Sequence, residues 1–200
     1  MKYSKFIFPI FLVMVLVQLF VPAKMIWNHE KTLVTGKVYK FKTRPIDPAD
    51  PFRGKYIVLR FYESEYPVSN PDDWEKGQSI FVLLSEDADG YAKIAGITPE
   101  KPASNQDFVK AKIRYIKDYA SNAVVIGYPF DRYYMEESKA KDAEKLTRRQ
   151  PPRRNKQGEI LDNQQEVYAV VRILDGEAVL ENVMIDGEKI EDVVKRMAKE

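Results

Sequence analysis

The chain has 200 residues, with 32 basic and 30 acidic side chains, a formal net charge of +2, one histidine and no cysteine. These counts exclude disulfides, thiol catalysis and cysteine-ligated metal, and a single histidine cannot build a multi-histidine zinc site within one chain. Two of the basic residues, Lys2 and Lys5, precede the first apolar segment, so the remainder balances at 30 of each sign and presents no global field for nucleic acid.

The first element is an 18-residue apolar stretch, Phe6 to Ala23. As a helix it would span about 27 Å, close to the hydrocarbon thickness of a bilayer. After Lys24 the apolar character continues through Met25, Ile26 and Trp27. Lys24 can snorkel, and Trp27 has the amphipathic ring favoured at a membrane interface. Residues 1–27 are therefore expected to be a single-pass anchor embedded in the bilayer through residues 6–27. Lys2 and Lys5 would keep the N-terminus cytoplasmic, and residues 28–200 would form an extracytoplasmic domain. The competing reading is a cleaved signal peptide, since Val21-Pro22-Ala23 can pass as a cleavage site.

The outer part reads as strands. Gly36 to Thr43 alternates, with Tyr39 and Phe41 on one face and Lys40 and Lys42 on the other. Arg44 to Pro51 carries three prolines and two aspartates after Arg44 and reads as a loop. Lys55 to Tyr62 predicts one strand, with Tyr56, Val58, Arg60 and Tyr62 on one face and Ile57, Leu59 and Phe61 on the core face. Tyr66 to Gly77 reads as a second loop. Ser79 to Ser85 and Tyr91 to Ile97 form a hairpin around Asp89-Gly90. In Phe108 to Tyr119, Val109, Ala111, Ile113 and Tyr115 alternate with Lys110, Lys112 and Arg114.

A short strand is expected from Ala123 to Tyr128, and Glu136 to Arg149 is at most an exposed helix. Arg148 to Gly158 is a basic loop, whose five cations fit either a solvated segment or contact with anionic headgroups. Glu166 to Leu174 and Glu177 to Ile185 flank Asp175-Gly176 as the clearest hairpin. Ile190, Val193, Val194 and Met197 mark a terminal amphipathic helix. The predicted fold is mainly β: an N-terminal transmembrane helix, an antiparallel β-rich domain and a short C-terminal helix.

Two blocks carry a resemblance. Pro45 to Pro48, followed by Pro51-Phe-Arg-Gly-Lys-Tyr-Ile-Val-Leu-Arg-Phe-Tyr62, resembles the signature Gly-Asp-Tyr-x-x-Leu-x-Tyr of the bacterial GDYXXLXY family. Gly54, Tyr56, Leu59 and Tyr62 match, and Lys55 stands where the family has aspartate. Tyr128 to Glu137 is similar to a second family block, an Arg-Tyr-Phe followed by glutamate. Met25-Ile26-Trp27 with Glu30, and Asp186-Gly187, are also similar. The resemblance implies a small membrane-anchored bacterial protein with no assigned biochemical role and a polytopic membrane protein as partner. If the family's aspartate were catalytic or a metal ligand, the Lys55 departure would imply an inactive member, whereas a charge reversal suits a solvent-facing or interface position.

The candidate binding set drawn from these blocks is Arg53, Gly54, Tyr56, Leu59, Arg60, Tyr62, Arg132, Tyr133, Tyr134 and Glu136. Tyrosines flanking an arginine can make a binding face, and they are also a common structural device. Asp47 and Asp50 fit turn formation better than cation binding. No catalytic residue, metal or cofactor is expected.

The alternative is an envelope hydrolase with a degenerate signal-peptidase-like fold, because Arg53-Gly54-Lys55-Tyr56-Ile57-Val58 is similar to the Arg-Gly strand of type I signal peptidases. Those enzymes need a serine just after the anchor. Between Lys24 and Gly54 only Thr32, Thr35 and Thr43 offer hydroxyls. His29 beside Glu30 reads as an interface residue. Asp131, Glu136 and Glu137 could pair as carboxylates, although a helix start explains them more simply.

Overall fold

The computed structural model describes residues 4–44, 56–103, 106–117, 122–135, 153–154, 160–161 and 166–197. An uninterrupted helix, α1 (Ser4–Thr35), takes the apolar segment and continues well beyond Trp27. Its 32 residues correspond to about 48 Å. Pro9 and Pro22 lie inside it without ending it. From Ile7 onward it is long and apolar enough to cross a membrane. Among the described residues its end meets the sheet: Thr32 is buried, and the helix contacts β12 (Val167–Leu174) and β13 (Glu177–Ile185).

The chain then enters β1 (Lys37–Arg44) directly. Gly36 makes this junction possible, because a Cβ there would stand 2.4 Å from the Thr32 carbonyl oxygen and 3.1 Å from the Ile173 nitrogen. Along β1 the expected alternation holds, with Tyr39, Phe41 and Thr43 buried and the cations between them turned outward.

The motif segment is not one strand. It divides into β2 (Tyr56–Val58) and β3 (Arg60–Phe61), with Leu59 between them. β2 pairs with β9 (Arg132–Tyr134), and β3 pairs with the end of β1. The expected two faces nevertheless persist across the break: Ile57, Leu59 and Phe61 are buried, while Arg60 and Tyr62 are exposed. The expected loop after Tyr66 is also partly ordered. β4 (Glu65–Pro67) pairs with β8 (Ala123–Gly127), and Pro71–Asp73 forms a 3-10 turn. Pro67 is accommodated because β4 is an edge strand.

β5 (Ser79–Glu86), β6 (Ala92–Thr98) and β7 (Phe108–Lys117) complete an antiparallel sheet in the order β4-β8-β7-β5-β6. Val109, Ala111 and Ile113 face the core as expected, but Tyr115 does not; it is 45% exposed. A register shift between Ile113 and Tyr115 moves the inward phase to Ile116, which packs against the core.

The second sheet runs β14-β13-β12-β1-β3, where β14 is Glu188–Lys189, and α2 (Ile190–Met197) follows it. Asp175 and Gly176 both have positive φ, 51° and 83°, as a two-residue type I′ hairpin turn requires. Gly176 also lies against Phe108 of the other sheet and is bridged to Val109. The two sheets thereby close on each other as a near-barrel. Ile190 and Val194 of α2 are buried, in agreement with the amphipathic pattern.

The basic loop contributes one described feature, a short antiparallel pairing of Arg153–Arg154 (β10) with Ile160–Leu161 (β11). Of the expected loop from Arg44 to Pro51, Arg44 is instead the last residue of β1, paired with Arg60, while the remainder and the expected helix over Glu136 to Arg149 lie outside the described residues.

Four aromatic rings fill the core where β1, β3 and the segment after β8 converge. Phe41, Phe61, Tyr128 and Phe130 lie with all centroid separations between 5.0 and 5.8 Å. Most of these contacts are edge-on or tilted, the arrangement that the ring quadrupole favours. The Tyr128 hydroxyl donates to the Glu63 carbonyl at 2.8 Å, and burial holds its pKa far above the ordinary tyrosine value.

Candidate binding face

The two sequence blocks that carry the family resemblance are strand partners. In β2 and β9, Tyr56 stands opposite Tyr134, Ile57 opposite Tyr133 and Val58 opposite Arg132. Directly opposed residues of an antiparallel pair share a face, so Tyr56, Tyr134 and Arg132 come together on the outside. The two tyrosine rings lie 5.4 Å apart at 55°, and the Arg132 guanidinium sits 5.1 Å from the Tyr56 ring centroid. Tyr134 is 64% exposed. Interaction with the Tyr134 hydroxyl, and then with Tyr56 and Asp131, holds Arg132 above its ordinary pKa and therefore charged.

The same outward face continues past the Leu59 break. Arg60 is exposed, Tyr62 is half exposed, and Arg44 lies opposite Arg60 across β1 and β3. The Arg44 guanidinium stacks 5.5 Å from the Tyr62 ring and donates to the Tyr62 carbonyl at 3.2 Å. Arg44 was not in the candidate set. The sequence reading places it at the start of the proline-rich loop, although it extends the outward series Lys40, Lys42 by one more alternation and closes β1.

The remaining candidates separate into two groups. Leu59 and Tyr133 point inward and are buried. They hold the face in place without forming it. The Tyr133 hydroxyl donates to Glu191 of α2 at 3.1 Å, and burial pushes its pKa up to about 12. Arg53, Gly54 and Glu136 lie outside the described residues. Asp131, weighed as a possible acid, is engaged by Arg114 at 2.8 Å.

A second polar cluster, not anticipated, lies at the other end of β1. Lys37 Nζ donates to Tyr39 Oη at 3.0 Å and to Asp107 Oδ2 at 2.9 Å, and Tyr39 Oη donates to Asp107 Oδ2 at 2.7 Å. Glu86 stands 3.4 Å from the same ammonium group. The hydrogen bonds to Lys37 and Tyr39 lower the Asp107 pKa. Those to Tyr39 and Asp107 raise Lys37, and burial chiefly pushes Tyr39 up to about 12. The cluster ties β1 to the segment before β7, and its lysine is fully paired.

Among the described residues no group of three or more histidine, cysteine, aspartate or glutamate side chains is placed to hold a metal ion. The model of the family described as GDYXXLXY protein matches residues 18–183. No curated protein and no solved structure matches the chain.

Proposed function

Because the chain belongs to the GDYXXLXY family and opens on an apolar helix, we propose that it is an envelope binding or scaffolding module held at the membrane by that helix. In this reading α1 is a single-pass anchor in the bacterial inner membrane, with a cytoplasmic N-terminus. Residues 28–200 work on the extracytoplasmic side within a complex that includes a polytopic membrane protein. The module binds and positions; it carries out no reaction of its own.

The observation that carries the reading is the joining of the two signature blocks into one exposed tyrosine–arginine face, Tyr56, Tyr134 and Arg132. Tyrosine and arginine are the residue types over-represented at energetic centres of protein interfaces. A pair of rings with a stacked guanidinium is already ordered before contact, which lowers the entropy lost on binding.

Site-specific photocrosslinkers at positions 56 and 134, with an exposed control at Lys76, test this in native membranes. The expected result is capture of one and the same membrane protein from both face positions, lost on Arg132→Ala and absent from position 76. Equal capture from all three positions removes the reading. N-terminal sequencing of the mature chain tests the anchor separately: a start at Lys24 would replace the anchor with a cleaved signal.

A further inference from the structure

We infer that the outward face of the motif binds an acidic polypeptide segment, taken up by Arg44, Arg60 and Arg132; this deepens the proposed binding role and rests on it. Arg44 and Arg60 are direct cross-strand partners. Like charges so placed repel each other, and a fold without a use for them would favour an acidic or neutral residue at one position. Arg132 lies one step along the same face, opposite Val58.

Among the described residues this set has two carboxylates, each shared with a further cation, so positive charge is in excess. Glu65 is divided between Arg44, 3.6 Å from its Oε1, and Lys117, 2.6 Å from its Oε2. Asp131 binds Arg114 at 2.8 Å and reaches Arg132 only at 3.8 Å. Arg60 is exposed and has no ion-pair partner among the described residues.

The chemistry selects carboxylates over sugar rings. Tyr56 and Tyr62 already carry guanidinium groups against them, so the recognition element left open among the described residues is the exposed Arg60 guanidinium, whose N–H edges match carboxylate geometry, between the positive fields of Arg44 and Arg132. Position selects a protein segment over lipid headgroups. Beyond Trp27, α1 continues for eight residues, about 12 Å, before β1 begins, which sets the domain off from the headgroup layer in the anchored reading.

The test uses the full chain in nonionic detergent micelles and a fluorescently labelled oligoglutamate peptide, read by anisotropy. Binding is expected to weaken about tenfold in Arg60→Gln and again in Arg132→Gln, to be partly retained in Arg60→Lys, and to fall with salt. Arg60→Gln should leave the unfolding temperature unchanged or raised, which separates lost recognition from lost structure. Equal peptide binding by wild type and both glutamine variants overturns the acidic-segment inference. So does preferential binding to phosphatidylglycerol nanodiscs or to inorganic phosphate. With capture at Tyr56 and Tyr134 intact, such results leave the binding module standing; loss of that capture removes the module itself.

Discussion

Leu59 donates its backbone amide to the carbonyl of Asp131 at 2.7 Å, and so fastens the break in the motif strand to the residue that precedes β9. Its side chain, 3% exposed, is at the same time part of the core. The signature leucine is therefore a structural residue, and the signature tyrosine three positions later is a surface one. Leu59→Ala is expected to cost about 2–5 kcal/mol of stability. Tyr62→Ala should stay within about 0.5 kcal/mol. Denaturant unfolding of the two variants checks this; equal losses would contradict the division.

Tyr128 gives a second test. Its ring is one side of the aromatic box, and its hydroxyl is the donor to the Glu63 carbonyl. Tyr128→Phe keeps the ring and leaves that carbonyl without its donor, at an expected cost of about 1–3 kcal/mol. Phe41→Ala removes a ring from the same box and should cost about 3–5 kcal/mol. Thermal unfolding that ranks the two in the opposite order would show the packing to be less tight than the ring separations indicate.

The Lys37–Tyr39–Asp107 cluster predicts a stability profile with two limbs. On the alkaline side the unfolded chain loses the Tyr39 proton near pH 10, whereas the folded chain keeps it up to about 12. Lys37, raised above its ordinary 10.5, acts in the same direction. Stability therefore falls as pH rises through this window. On the acid side the contribution of Asp107 is complete above its ordinary 3.8 and is lost as pH falls through its depressed folded value. Tyr39→Phe should flatten the alkaline limb and Asp107→Asn the acid limb. Variants that reproduce the wild-type profile would assign both limbs to other groups.

At the β12–β13 turn, Gly176 combines φ of +83° with close approach to the other sheet, where a Cβ would lie 2.5 Å from Phe108 Cε2. Gly176→Ala is expected to destabilise by more than about 1 kcal/mol, because it both strains the turn and moves a buried ring. The double change Gly176→Ala with Phe108→Leu should recover part of the loss. No recovery would place the whole cost in the backbone.

The parts of this fold that sequence makes legible are those that local rules determine. The Asp175-Gly176 hairpin follows from two adjacent residues suited to positive φ, and β1 follows from strict alternation up to Thr43. Where the sequence expectation failed, a long-range partner decided the outcome. Tyr115 left the core because a bulge against β8 changed the phase, and β4 formed despite Pro67 because β8 was free to pair with it. The motif divided at Leu59 because β9 claimed one half and β1 the other. Pairing of Tyr56 with Tyr134 could not be read from spacing, since nothing local links them. Each block is legible on its own in the sequence, and the fold supplies their adjacency.

The unbroken passage of α1 through Gly36 into β1 has a rotational consequence. Each helical residue turns the chain by about 100°, so the bearing of the β-domain around the α1 axis is set by the number of residues between Trp27 and Thr35. One alanine inserted there would swing the arginine face about a quarter of a circle or slightly more. A seven-residue insertion would bring it back to within about 20° while lifting it by two turns. A docking partner sensitive to azimuth would reject the first chain and accept the second, whereas a swivelling tether would make the two behave alike.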